Sequence, residues 1–332
     1  FTNGGDIETT SWAAFAQLDY DLAKTSAAIP LTITLGVRYT YDKKHVVDFL
    51  NYHIPDFAFT FPQSKDVEPS WDKVTGKFGL AYQASDDVMI YASVSTGYLA
   101  GGELVGNFPG IYGPETVTNY EAGFKGSFGG GAATLNASIY HVEIEDMQVF
   151  VQDITGSRID NAGAAHVTGF EAEGVFYLTD QLRVNAALSL MEAQYDTYVT
   201  IDNRIGVPAD FSGNRLVQTP KYTFSLGAEY AIETTFGVLT PRVDVFWSGD
   251  LYFLSANSSY DRQPPYSLVD VGVTWTAPDE RWTVAAFVRN AGDVDVISND
   301  GLQANTIGLG FGMDNFTYMP PRTYGLRVGV HF

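Results

Sequence analysis

The chain closes on Thr323-Tyr324-Gly325-Leu326-Arg327-Val328-Gly329-Val330-His331-Phe332, where apolar residues alternate with small or polar ones. Successive side chains of a β-strand point to opposite faces, so this alternation predicts a strand with one wholly apolar face. Strands of outer-membrane barrels turn such a face to lipid and the other to the lumen. An ordinary amphipathic strand of a soluble protein is the alternative.

The composition narrows the function classes. The 332 residues include 19 Lys and Arg against 39 Asp and Glu, which gives a formal net charge of −20 and argues against a nucleic-acid partner. Cys is absent, which excludes disulfides, thiolate nucleophiles and Cys-ligated metals. No apolar run approaches the ~18 residues that a membrane-spanning helix needs. We expect no cofactor and no metal site.

The same period of two recurs along the whole chain. No residue on the predicted apolar faces is charged, although charged residues make up 17% of the chain. Arg or Lys on the lipid face at mid-bilayer costs ~2–4 kcal/mol, which accounts for this exclusion. We therefore predict an all-β fold, a transmembrane antiparallel β-barrel with about thirteen strands. These strands lie near residues 12–20, 31–39, 73–82, 88–94, 120–128, 132–152, 170–178, 182–190, 222–230, 239–247, 269–275, 282–289 and 324–332.

Short and long connections alternate between the predicted strands, as they do between the periplasmic turns and outer loops of such barrels. The long connections are expected near 41–70, 97–115, 152–160, 195–217, 248–264 and 290–320. An odd strand count leaves the first and last strands parallel, whereas single-chain bacterial barrels have an even count. Either one strand is unrecognised, or strands that precede Phe1 belong to the same barrel, which we favour.

Several stretches together carry a family resemblance. They are Trp71-Asp72-Lys73-Val74-Thr75-Gly76-Lys77-Phe78-Gly79-Leu80, Tyr91-Ala92-Ser93-Val94-Ser95-Thr96-Gly97-Tyr98, Asn119-Tyr120-Glu121-Ala122-Gly123-Phe124-Lys125-Gly126, Gly169-Phe170-Glu171-Ala172-Glu173, Val288-Arg289-Asn290 and Pro321-Arg322-Thr323-Tyr324-Gly325. In this order they resemble the C-terminal part of the barrel of TonB-dependent outer-membrane receptors.

The resemblance implies a plugged barrel of about 22 strands, of which residues 1–332 are a single C-terminal portion. The N-terminal plug and the first strands would then be absent from this chain. The resemblance also implies a Gram-negative outer membrane and import of a ferric siderophore, cobalamin or glycan. The TonB complex would supply the energy through the missing N-terminal region.

Charged residues of both signs fall on the faces opposite the apolar ones, and mixed signs suit a wall that pairs with itself and with a plug. The predicted lumen-facing or plug-facing residues are Arg38, Lys77, Glu121, Lys125, Glu171, Glu173, Arg242, Asp244, Arg289 and Arg327. On the terminal strand, the apolar row is also the predicted signal for the barrel-assembly machinery. It comprises Tyr324, Leu326, Val328, Val330 and Phe332.

Ligand contacts are expected from the outer loops, since aromatics supply contact area and Arg grips carboxylates or chelates. The candidates are Tyr98, Arg158, Tyr195, Arg204, Arg215, Tyr252, Tyr260, Arg262 and Asp314. Each of them could instead be a residue that packs its loop.

Two other functions stay open, a plugless passive diffusion channel and a surface adhesin or lipolytic barrel. The lipolytic alternative rests on Ser138 and His141, but residues three apart on a strand point to opposite faces. Phosphate-loop, zinc-protease and nucleophile-elbow motifs are all missing, so we expect no enzyme.

Overall fold

The computed structural model describes residues 2–24, 28–54, 59–104, 110–153, 156–202, 207–300 and 315–331. Thirteen strands pair in the order in which they occur in the chain, each antiparallel to the next. They are β1 (Thr2–Asp21), β2 (Leu31–Ile54), β4 (Ser70–Ser85), β5 (Val88–Leu99), β8 (Glu115–Phe128), β9 (Ala133–Asp153), β10 (Gly156–Tyr177), β11 (Leu182–Thr197), β14 (Tyr222–Tyr230), β16 (Gly237–Ser248), β19 (Tyr266–Thr276), β20 (Trp282–Arg289) and β23 (Thr323–Val330).

Shorter strands complete the architecture. β3 (Phe59–Val67) pairs with β2, and β15 (Ile232–Thr234) pairs with β16. Four small hairpins lie in the long connections: β6–β7 (Gly102–Glu103 and Ile111–Tyr112), β12–β13 (Val199–Asp202 and Val207–Asp210), β17–β18 (Leu251–Tyr252 and Arg262–Gln263) and β21–β22 (Ile297–Asp300 and Phe316–Tyr318).

Helical structure is confined to two 3₁₀ turns in the described ranges, Leu22–Lys24 and Gly129–Gly131. The second turn joins β8 to β9, and its three glycines have φ of 61°, 65° and 96°, which residues with a Cβ rarely adopt. Among the residues described, no helix has the length and apolarity to cross a membrane.

The strand register aligns the apolar residues of neighbouring strands. Leu35 of β2 lies between Leu18 of β1 and Phe78 of β4, and Phe78 lies opposite Val94 of β5. Directly opposed residues point to the same face, so these side chains form one continuous apolar surface. Near the C-terminus, Val271 continues the surface through Val243 on one side and Val288 on the other. The prediction of one shared apolar face is confirmed.

Two of the predicted long connections are wrong. β2 continues to Ile54 and pairs with β3, while β9 and β10 remain paired out to Asp153 and Gly156. The alternation of apolar and polar residues fades in these extensions, although the backbone hydrogen bonds continue. A pattern of side chains detects a strand only where apolar and polar residues alternate along the chain.

The sheet is open within the described part of the chain. β1 pairs only with β2, and β23 pairs only with β20. Since thirteen strands alternate in direction, these two edge strands run the same way, as the predicted odd count requires. The sheet is thus the wall of a partial barrel.

Candidate functional site

The ten predicted lumen residues share the face opposite the apolar surface, which we call the polar face. Lys125 lies opposite Asn136, and Asn136 lies opposite Glu173, to which it donates a hydrogen bond of 3.1 Å. The Tyr91 hydroxyl donates to Glu121 at 2.5 Å, and Lys125 lies 5.9 Å from the centre of the Tyr91 ring. Neighbouring strands therefore link their polar side chains to one another.

In the C-terminal half, the polar face carries a self-paired network of charges. Glu229 accepts hydrogen bonds from Arg183 at 3.2 Å and from Arg242 at 2.8 Å. Arg242 also reaches Asp244 at 2.5 Å and Asn185 at 3.1 Å. Charges of both signs thus neutralise one another across β11, β14 and β16.

The N-terminal half of the polar face is different. No ion pair within 4.0 Å joins Arg38, Lys73 or Lys77 to a carboxylate among the described residues. Arg38 instead donates to Thr40 at 3.0 Å and lies 5.9 Å from the centre of the Phe15 ring. This region therefore keeps positive charge on the wall of a strongly acidic chain.

Beyond the end of the apolar surface, five buried residues form a cluster on β10, β11 and the connection that follows. We call Ala165, Ala193, Tyr195, Tyr198 and Leu216 the mouth cluster. The Tyr195 and Tyr198 rings lie 4.8 Å apart, and both side chains are almost fully buried. The Phe211 ring lies 5.8 Å from the Tyr198 ring at a tilt of 60°, and the Phe211 backbone N–H donates to the Tyr198 carbonyl oxygen at the base of the β12–β13 hairpin.

A cavity of about 300 Å³, the mouth cavity, opens beside the mouth cluster. Its walls come from three distant stretches of the chain, and no Lys, Arg or His is among the described residues that line it. Burial raises the pKa of Tyr198 to about 12, so its hydroxyl stays protonated at neutral pH. The lining residues are Met147, Gln148, Val149, Phe150, Tyr195, Tyr198, Thr200, Ile201, Asp202, Phe211, Val217, Phe253, Leu254, Ser255 and Ala256.

Three predicted ligand contacts, Arg215, Tyr252 and Arg262, come together close to this cavity, but the two arginines bind Asp250. The Oδ2 atom of Asp250 lies 2.9 Å from Nε of Arg262 and 3.4 Å from Nη1 of Arg215. The Arg215 guanidinium also lies 5.3 Å from the centre of the Tyr252 ring. Burial alone would raise the pKa of Asp250, but the hydrogen bond from Arg262 and the charge of Arg215 outweigh it, so the pKa is lowered.

The other predicted contacts are dispersed. Arg158 lies within β10 and pairs with Asp160 at 2.9 Å, while Tyr260 is 71% exposed. Tyr98 is the penultimate residue of β5 and has a buried hydroxyl oxygen. Of the predicted contacts that the structure describes, only Tyr195 lines the mouth cavity. Arg204, Asp314 and Phe332 lie outside the described residues, and the site predictions as a set stay predictions.

Sequence reasoning missed Phe211, Phe253 and Ser255, which also line the cavity. The sequence signal for Phe211 and Phe253 was an aromatic residue within a long connection. Such a residue is equally typical of a side chain that packs its own loop, so the signal did not single out a cavity. Ser138 and His141 lie on opposite faces, since Ser138 pairs with Glu171 of the polar face and His141 with Tyr120 of the apolar face. Within the described ranges, no group of three His, Asp or Glu side chains is arranged to hold a metal ion.

Comparison with known proteins identifies the class that this fold defines. The family model described as "TonB dependent receptor-like, beta-barrel" matches residues 1–291. The chain belongs to this family, whose members reside in the outer membrane of Gram-negative bacteria.

The curated relatives are receptors. The pesticin receptor of Yersinia pestis is 27% identical over 263 residues, which cover 78% of this chain and 36% of the receptor. The metal-pseudopaline receptor CntO of Pseudomonas aeruginosa is 28% identical over 158 residues, 47% of this chain and 20% of that protein. The chain thus spans about a third or less of these relatives.

Solved structures show the same fold. The ferric yersiniabactin uptake receptor FyuA from Yersinia pestis superposes with a TM-score of 0.79 at 22% identity, over 99% of this chain and 47% of FyuA. The siderophore receptor PiuA from Acinetobacter baumannii superposes with a TM-score of 0.75 at 19% identity, over 98% of this chain and 44% of PiuA. The thirteen-stranded sheet therefore corresponds to a little under half of such a receptor.

Proposed function

We propose that this chain is the wall and outer mouth of a receptor that imports a scarce ligand across the outer membrane. The ligand belongs to the ferric siderophore, cobalamin or glycan class, and the TonB system supplies the energy. Binding, gating and release carry the function, without covalent chemistry. The observation that carries the proposal is the family match over residues 1–291 together with a lined cavity at one end of the sheet.

The relatives favour a metal chelate within these classes. FyuA takes up ferric yersiniabactin, and CntO is a receptor for metal-pseudopaline. Chelates of this kind are bulky and scarce, which suits active uptake better than diffusion. We therefore place a ferric chelate first among the ligands of this chain.

The polar face is proposed to pack against a plug domain that belongs to the same protein. The unpaired cations Arg38, Lys73 and Lys77 support this, because charges enclosed in a barrel need counter-charges. Carboxylates of a plug would supply them, whereas the network around Glu229 needs none. A passive channel without a plug would leave these cations in open water.

Ligand transfer from the mouth to the lumen is proposed to follow plug rearrangement by TonB. The remaining partners of the chain are outer-membrane lipid and the barrel-assembly machinery. The apolar row of β23 supports the latter, since Leu326 is 71% exposed on the edge of the sheet.

The test is uptake of ⁵⁵Fe by iron-starved cells whose only receptor is the full-length protein. We expect accumulation from at least one ferric chelate, and its loss when TonB is deleted. A matched strain that makes a general porin instead of the receptor serves as control. Uptake that persists without TonB would support the passive channel and overturn the proposal.

A further inference from the structure

The apolar surface ends along a sharp line between β8 and β11. Ile139 of β9 lies opposite Phe170 of β10, and both belong to the apolar surface. Two residues further along β9, on the same side of the sheet, His141 lies opposite Tyr120 and Thr168. An amphipathic ring such as that of Tyr120 is typical of a membrane interface. His141 is thus in the first polar row beyond the apolar surface.

A second histidine occupies the next row. His166 of β10 lies opposite Glu143 of β9, so it is the diagonal neighbour of His141 on the same side of the sheet. The centres of the two imidazole rings are 6.0 Å apart. A metal ion bonded to a ring nitrogen at about 2.0–2.1 Å lies about 3.2 Å from the ring centre, so two rings that share it have centres about 5–6 Å apart. The pair is therefore spaced for one ion.

The same nitrogen of each ring already has a hydrogen-bond partner. Nδ1 of His166 lies 2.6 Å from Oδ1 of Asp196, and Nδ1 of His141 lies 2.7 Å from Oγ1 of Thr168. An ionised carboxylate can only accept, which places the proton of neutral His166 on Nδ1 and leaves the Nε2 lone pair available. Histidines that bind metals in proteins are commonly oriented in this way by the other ring nitrogen.

Negative charge lies beside the two rings. Oε1 of Glu143 is 3.6 Å from Nε2 of His141, which is too long for a hydrogen bond but close enough to stabilise a cation. Glu192 lies opposite Thr168, in the same row as His141. Among the described residues, no third His, Asp or Glu completes a set of ligands. An ion held by the two imidazoles therefore keeps open coordination positions.

We infer that His141 and His166 bind one divalent transition-metal ion through their Nε2 atoms, and that a lipid phosphate completes its coordination. Imidazole suits Zn²⁺, Cu²⁺ and Ni²⁺. The apolar surface of a transmembrane barrel faces hydrocarbon, so the first polar rows beyond it lie at the level of the lipid headgroups. Carboxylates at this level repel a headgroup phosphate, whereas a cation between them attracts both.

This metal site is separate from the import of a ligand. It lies on the side of the sheet that carries the apolar surface, opposite the polar face, and neither histidine lines the mouth cavity. No local pattern of the sequence reveals the pair, because the two histidines are on different strands and only the register of β9 and β10 brings them together.

The experiment measures binding of Zn²⁺ alone to the purified full-length protein by isothermal titration calorimetry, in dodecyl maltoside micelles that contain no phosphate. His141→Ala removes one ligand. Asp196→Asn keeps both ligands and weakens the hydrogen bond that orients His166. His45→Ala is the matched control, because His45 has its own carboxylate contact, with Asp66 at 2.9 Å, but lies on β2, which β4, β5 and β8 separate from β9.

We expect His141→Ala and Asp196→Asn to weaken Zn²⁺ binding by about 10–100-fold, and His45→Ala by no more than about twofold. With one equivalent of Cu²⁺, electron paramagnetic resonance should show coupling to two imidazole nitrogens in the wild type and to one in His141→Ala. Retention of the heat-modifiable band shows that each variant is folded. The nitrogen count of the wild type tests the site even if a variant fails to fold.

A second set of titrations tests the lipid phosphate. Phosphatidic acid added to the micelles should tighten Zn²⁺ binding by the wild type about tenfold and leave His141→Ala unchanged. Inorganic phosphate at the same concentration should have a smaller effect, since it is not held at the apolar surface.

Two results would overturn the inference and differ in what they leave standing. Equal Zn²⁺ affinities of the wild type and folded His141→Ala, or a wild-type Cu²⁺ spectrum without coupling to two nitrogens, would reject the metal site. Tightening by inorganic phosphate as strong as that by phosphatidic acid, or no tightening by either, would reject the lipid phosphate and keep the two histidines as ligands.

Discussion

Arg242 of β16 faces Glu229 of β14, and the Nη1 atom of Arg242 lies 2.8 Å from the Oε2 atom of Glu229. Arg183 approaches the other carboxylate oxygen of Glu229 at 3.2 Å. One carboxylate thus joins two cations on three adjacent strands. Replacing it removes the ion pair of Arg183, whereas Arg242 keeps its ion pair with Asp244.

Glu229→Gln should lower the free energy of unfolding by about 1–2 kcal/mol, because charged hydrogen bonds are lost at half-exposed groups. Urea unfolding in detergent, followed by the heat-modifiable band, measures this. Glu233→Gln is the control, since Glu233 lies in the exposed β15 segment without an ion pair to a described residue. Equal losses of unfolding free energy in Glu229→Gln and Glu233→Gln would show that the ion pairs of Glu229 do not stabilise the barrel.

Val243→Arg and Thr240→Arg test the assignment of the two faces. Val243 lies on the apolar surface between Ala228 and Val271, whereas Thr240 shares the polar face with Arg242. A cation on the lipid face costs ~2–4 kcal/mol, so Val243→Arg should impair membrane insertion while Thr240→Arg is tolerated. The fraction of heat-modifiable protein in outer-membrane preparations reports insertion. Similar fractions for the two variants would reject the assignment.

Gly325→Ala should destabilise the barrel at its C-terminal edge. Phe287 of β20 lies opposite Gly325 of β23, and a Cβ at Gly325 would overlap the Phe287 ring. Displacing this ring, which also packs beneath Arg289, should cost about 1–3 kcal/mol by urea unfolding.

Gly292→Ala is the matched control for this substitution. A Cβ at Gly292 would lie 3.4 Å from the Cγ2 atom of Val294, which is an ordinary contact. We expect its unfolding midpoint to match the wild type. A loss as large as that of Gly325→Ala would contradict the assignment of the destabilisation to displacement of the Phe287 ring.

The charge of Asp250 makes the outer loops sensitive to acid. Its pKa in the folded protein lies below the ordinary value of 3.8, so its stabilising contribution is complete above 3.8 and lost as the pH falls through the folded value. The stability difference between wild type and Asp250→Asn should therefore be constant above about pH 5 and shrink below pH 4. Limited proteolysis of the loops across this pH range measures it. A stability difference between wild type and Asp250→Asn that grows as the pH falls would contradict a lowered pKa of Asp250.

Alternation of side chains was enough to predict all thirteen strands of the main sheet. The reason is that the two faces of each strand carry residues of opposite character, as the neighbours Arg242 and Val243 show. The same rule found no strand in the extension of β2 beyond Tyr41, because the buried face there carries both Val46 and Asp48 and the exposed face carries Val47 and Phe49. The ligand contacts could not be predicted in this way, because the sequence around Arg215 is the same whether its side chain binds a ligand or Asp250.

The fold class, the thirteen strands and the family could be predicted from the amino acids, because alternation is local to each strand and the family stretches follow one another in order along the chain. The register, the self-paired network around Glu229 and the mouth cavity became known only from the folded structure. These bring together residues as far apart as Phe150, Tyr198 and Phe253, and no local pattern of a chain records which distant segments will meet.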